Sequence, residues 1–185
     1  MKKKKFTKIR ENITEVEYQK LLIYLNGKED LTTNTKNNLR RTFILLYFTG
    51  MRVNEVKQLK VKDINTIFEK EELIIVTHKT RKERKLFFSK EAIKQIKKHF
   101  VFNDNSKDEN FVITTKGNPL KTPSSSTFIA KVNSFIQEVL GHRYSSHSFR
   151  AGIITDMSKS INPKFIKEFI GHSLYTLMTF YLPNY

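Results

Sequence analysis

The 185-residue chain contains no cysteine. Disulfides, thiolate metal sites and thiol nucleophiles are all excluded by that one absence. Acids are scarce as well: 18 Asp and Glu against 34 Lys and Arg leave a formal net charge of +16. No group of carboxylates has the spacing of a Mg²⁺ site. Asp63 and Asp156 are isolated and read as helix-capping or surface charges. Long apolar runs are missing too. The longest, Phe43-Ile44-Leu45-Leu46-Tyr47-Phe48, falls far below the roughly 20 residues that cross a bilayer. The basic start, Met1 to Lys5, is not followed by the apolar stretch of a secretory signal. There is no internal repeat and no low-complexity linker.

The excess of positive charge points to a polyanionic partner, nucleic acid above all. An acidic membrane surface is the competitor, but no amphipathic anchor or lipidation motif is present, so nucleic acid is the expected partner and no membrane is. A reducing cytoplasm fits a chain without cysteine. The length suits one domain with a real core. Residues 1–12, with Lys2, Lys3, Lys4, Lys5, Lys8 and Arg10, are expected to form a basic flexible arm, either a solvated tail or a contact to phosphates. The domain itself is expected from residue 13 to residue 185.

The fold class expected is mainly α with a small antiparallel β-sheet, an α+β arrangement. Thr14 and Glu17 form a capping-box pattern before Tyr18, Leu21, Leu22 and Leu25, which predicts a helix over 14–26. A second helix, 36–49, is apolar nearly all round in its later half, as a central helix should be, and Gly50 closes it. A short helix runs from Val53 to near Lys60. Leu73–Thr77 and Lys85–Phe88 read as a β-hairpin around the basic turn His78–Arg84, and Phe111–Thr114 as a third short strand. Further helices are expected from Ser89, over 124–140, over 146–158, and from Asn162-Pro163 to Gly171, with a last one capped by Ser173 that carries Tyr181.

The chemistry lies in a few side chains. His147 and Arg150 are three apart on a helix and share a face. A guanidinium offers a fork matched to two phosphate oxygens, and an imidazole donates a hydrogen bond or moves a proton near neutral pH. Arg52 follows the buried helix at once, on a rigid platform, with Glu55 placed to hold it. His172 sits between two helices. Each of these features is weak alone. The two histidines lack a third ligand, so zinc is not expected, nor any cofactor.

Taken together the residues resemble a family. Phe43 to Ile64, FILLYFTGMRVNEVKQLKVKDI, resembles the first motif box of the tyrosine recombinases, the phage integrase family. His78 to Leu86 looks like their hairpin-lysine segment, Ser146 to Ile153 like their H-x-x-R box, and Ile170 to Tyr181 like their G-H…Tyr box. The resemblance covers about residues 14–185. It implies that Tyr181 attacks a scissile DNA phosphate, giving a 3′-phosphotyrosine and a free 5′-hydroxyl. Arg52 and Arg150 would clamp the non-bridging oxygens, His172 would donate to the same phosphate, His147 would assist proton transfer with Tyr181, and Lys79 would protonate the leaving 5′-oxygen. Lys79 matches the family position better than Lys82. Tyr175 lies too near His172, and Tyr185 is the last residue. Arg81, Lys82 and Arg84 are expected to touch DNA backbone or solvent.

The family's separate N-terminal core-binding domain is not seen in this sequence. The resemblance implies self-association on DNA as a tetramer. The chain ends four residues past Tyr181, without the longer tail that docks on a neighbouring subunit in many relatives, which counts against it. Three rival readings stay open at this point. They are type IB topoisomerase-like relaxation by the same tyrosine chemistry, a catalytically inactive DNA-binding module, and generic polyanion binding.

Overall fold

A computed structural model of the chain describes residues 11–77, 83–102 and 106–170. Its elements in chain order are α1 (Glu15–Gly27), α2 (Thr33–Thr49), α3 (Val53–Gln58), α4 (Val61–Lys70), β1 (Glu72–Val76), β2 (Glu83–Phe87), α5 (Lys90–His99), α6 (Ser125–Leu140), α7 (Ser146–Met157) and α8 (Pro163–Ile170). The expected fold class is the observed one. Residues 78–82 of the expected basic turn His78–Arg84, and the expected last helix with Tyr181, lie outside the described residues.

α2 is the central element because its later half has no polar face to turn to solvent. Leu39, Phe43, Ile44, Leu45 and Leu46 are buried along it, and α1, α3, α5 and α7 pack against it. Full burial of each such side chain contributes roughly 1.5–3 kcal/mol. Phe43 stacks on Phe149 of α7 with ring centroids 5.9 Å apart. A smaller apolar cluster, Ile154, Ile166 and Ile170, joins α7 to α8. Thr14 and Glu17 form the expected capping box, Thr14 N donating to Glu17 Oε2 at 3.0 Å. Gly50 ends α2 in the left-handed region (φ 60°), its N–H donating to Leu46 O at 3.0 Å.

Three sequence expectations are corrected. α4 falls where no element is predicted: its apolar stripe is short, with Val61, Ile64 and Ile67 buried on one face. Asp63 starts it by accepting from Lys60 N at 2.8 Å, the capping role expected of that acid. The third strand does not form. Phe111 makes only an isolated bridge with Lys60, and the described sheet is the antiparallel pair β1–β2, with Glu72 opposite Phe87 and Val76 opposite Glu83. The physical reason is that side chains of α2 have claimed the backbone of that run. Asn38 Nδ2 and Asn34 Nδ2 donate to Thr114 O at 2.8 and 3.0 Å, and Arg41 Nη1 donates to Val112 O at 2.9 Å. A ladder needs those same groups.

The third correction concerns the N-terminal arm. Its expected last residues, 11 and 12, are tied down: Glu11 N donates to Arg143 O at 3.4 Å and Asn12 Nδ2 to Thr155 Oγ1 at 3.0 Å. Ile13 then lies along α7, its N–H donating to Ser148 O at 3.1 Å. Gly152 makes this approach possible. A Cβ there would stand 2.3 Å from Ile13 O. Gly152→Ala gains about 1 kcal/mol of helix propensity, but it forces backbone apart in a packed region, which costs about 1–3 kcal/mol. Net destabilisation is expected, seen as a lower urea midpoint at unchanged slope; an unchanged or higher midpoint would show that the two segments separate freely.

Candidate active site

Three sequence-predicted residues line one pocket of about 120 Å³: Arg52, His147 and Arg150. Gly50 turns the chain out of α2, and Arg52 occupies the N-cap position of α3 two residues later. Its side chain is 31 % exposed and pairs with Glu55 as expected, Nη1 to Oε1 at 2.9 Å. The same carboxylate accepts from Arg52 N at 2.8 Å through Oε2, so Glu55 both starts α3 and aims the arginine.

His147 and Ser146 lie in the first turn of α7, at the positive end of the helix, with Ser146 N donating to Asn133 Oδ1 at 2.8 Å. His147 is exposed at the pocket. Arg150, one turn on, is only 1 % exposed. Its Nη1 donates to Gly50 O at 2.7 Å and its Nη2 to Ile170 O. Gly50 therefore supplies both a turn and an acceptor. A Cβ on it would meet Ile170 Cδ1 at 3.2 Å.

Arg84 is expected from the sequence to touch DNA or solvent, and the structure corrects this. Its side chain is 2 % exposed, donating from Nη2 to Glu55 Oε2 at 3.2 Å and from Nη1 to Ile170 O at 2.6 Å. Burial pulls its guanidinium below the ordinary arginine range; Glu55 opposes that and Arg52 adds to it. The signal is present in the sequence. Strand side chains alternate faces, and residue 84 shares its face with Leu86, which is buried. The sequence reading puts Arg84 in the turn because β2 begins two residues earlier than predicted.

The result is a chain of charged groups in which Glu55 joins Arg52 to Arg84 and the Ile170 carbonyl joins Arg84 to Arg150. Glu55 pairs with two of these three guanidinium groups, those of Arg52 and Arg84. Ile170 is the last residue of α8, whose C-terminal carbonyls carry partial negative charge. Two arginines thus fix the backbone two residues before His172 in sequence. Lys79, His172 and Tyr181, and with them Arg81 and Lys82, lie outside the described residues. Among the described residues no three His, Asp or Glu side chains stand together as a metal site, and no helix is long and apolar enough to cross a membrane. Asp156 has the surface role expected of it, pairing with Lys159 at 2.9 Å.

Known proteins resemble this chain in sequence and in fold. A tyrosine recombinase of Agathobacter rectalis is 28 % identical over 152 residues, covering 79 % of this chain and 48 % of that protein. The crystal structure of XerA recombinase superposes with a TM-score of 0.68 at 17 % identity, over 92 % of this chain and 59 % of that one. The Tn1549 transposon integrase, solved in complex with a circular intermediate DNA, gives a TM-score of 0.67 at 17 % identity, over 95 % of this chain and 62 % of that one. The chain spans about half the length of the curated relatives it matches. The sequence profile of the phage integrase family matches residues 11–184. By that match, and by a fold shared with solved recombinases, the chain belongs to the phage integrase family of tyrosine recombinases.

Proposed function

We propose that this chain is the catalytic domain of a site-specific DNA recombinase or integrase that cleaves and rejoins strands through a 3′-phosphotyrosine, without a metal ion. The observation that carries the reading is the convergence of Arg52, His147 and Arg150 on one pocket at the positive end of α7. Cations fixed before the substrate arrives stabilise the extra charge of a pentavalent phosphorus with little reorganisation.

In the proposed reaction the Tyr181 oxygen attacks phosphorus in line and the bond from phosphorus to the 5′-oxygen breaks. A phenol of pKa roughly 10 is a weak nucleophile at neutral pH. His147 takes its proton while the arginines favour the phenolate. Lys79 gives a proton to the departing 5′-oxygen, and His172 donates to a non-bridging oxygen. Reversal, with a 5′-hydroxyl of another strand as nucleophile, rejoins DNA at the same bond energy. Duplex DNA is the proposed substrate and the cytoplasm the proposed compartment. Self-association on DNA is part of the proposal, and residues 13–185 are its catalytic unit. Relatives named as recombinases favour strand exchange over relaxation.

The test is trapping on a nicked suicide substrate in EDTA. A covalent protein–DNA adduct is expected with no divalent cation present. A strict Mg²⁺ requirement would overturn the metal-free scheme.

A further inference from the structure

A second pocket, of about 230 Å³, shares Asn54 with the first. Lys57 lines it, three residues after Asn54 on α3 and so on the same side of that helix. Lys57 is only 6 % exposed. Its ammonium donates to Ser125 Oγ at 2.8 Å, and among the described residues no carboxylate pairs with it. Burial pulls its pKa below the ordinary lysine value.

A buried ammonium is costly unless paired with an anion, and a single hydroxyl answers one of its three donors. The remaining surroundings favour an anion as well. Ser125 is the first residue of the 16-residue α6, where backbone N–H groups and the helix dipole point at incoming negative charge. Asn54 Oδ1 is buried with no hydrogen-bond partner among the described residues. The opposite orientation of that amide offers two N–H donors to the same space. Thr122 adds a hydroxyl to the rim. The residues of this pocket have no part in the proposed cleavage chemistry.

We propose that this second pocket holds a DNA backbone phosphate neighbouring the scissile one, with Lys57 as its counter-ion and Asn54 and Ser125 as hydrogen-bonding partners. Because Asn54 belongs to both pockets, the two phosphates would be held on one short rigid helix. The scissile phosphate is then registered against its neighbour before any bond breaks. The inference rests on the DNA reading given above.

The experiment measures affinity of the full chain for a short duplex, by fluorescence anisotropy, as a function of salt. Taking one phosphate away from its cation lowers the slope of log K against log salt by about 0.9. Between 50 and 200 mM salt, the affinity of Lys57→Gln is therefore expected to fall by about 3.5-fold less than that of the wild type, while Lys57→Arg keeps the wild-type slope. A residue that only packs would change thermal stability and leave the slope alone. Ser125→Asp is the second variant. Its carboxylate suits the start of α6, so the fold is retained or stabilised, yet it places an anion beside Lys57. A shallower slope is expected there too. Wild-type slopes in both Lys57→Gln and Ser125→Asp overturn the pocket. Failure of the wild type to bind duplex at all would instead sink the DNA reading, so the two failures are told apart.

Discussion

The Tyr181→Phe variant is expected to bind DNA with the affinity of the wild type and to form no covalent adduct on a nicked suicide substrate. The change removes one oxygen and keeps the ring, so packing and charge are untouched. What disappears is the atom that displaces the 5′-oxygen in the proposed scheme, and no other group in that scheme can replace it. Electrophoretic shift and denaturing-gel trapping, run on the same samples, separate the two effects. An adduct that persists would move the nucleophile to another tyrosine, with Tyr175 and Tyr185 the first to test. Loss of binding along with the adduct would assign Tyr181 to holding the fold.

Arg150→Ala is expected to slow cleavage by about 10²–10³-fold, equivalent to about 2.7–4 kcal/mol, the scale of removing one fixed donor from a charged transition state. Arg150→Lys keeps the charge but not the fork, and should recover only part of the rate. Two buried carbonyls, Gly50 O and Ile170 O, lose a donor in the alanine variant, so stability falls as well. Single-turnover cleavage at saturating DNA, below the unfolding transition of each variant, isolates the chemical step. Cleavage at the wild-type rate in Arg150→Ala would remove the phosphate clamp from the mechanism.

The parts of the candidate active site differ in how far the sequence can be read. The pairing of Arg52 with Glu55 and the shared face of His147 and Arg150 depend on spacings of three along helices, which are local and visible in the sequence. α2 is equally legible, because a helix apolar nearly all round has to be central. The fate of Phe111–Thr114 is not legible. Its apolar, β-branched pattern is that of a strand, but Asn34, Asn38 and Arg41 reach it from about 70 to 80 positions away and take its backbone groups. For Arg84 the error is two residues of strand boundary, enough to turn a buried link into a supposed DNA contact. Lys57 is silent in the sequence, since one lysine in a chain of net charge +16 carries no signal until its burial, and the lack of a carboxylate partner among the described residues, are seen.

The strip of backbone at residues 11–13 gives this domain a handle. It grips α7 at Ser148, lodged between His147 and Phe149, and again at Thr155 near the other end of that helix. The bare Cα of Gly152 keeps the grip tight. A displacement of residues 11–13 would therefore bear directly on the helix that carries His147 and Arg150, at Ser148, within a single turn of both.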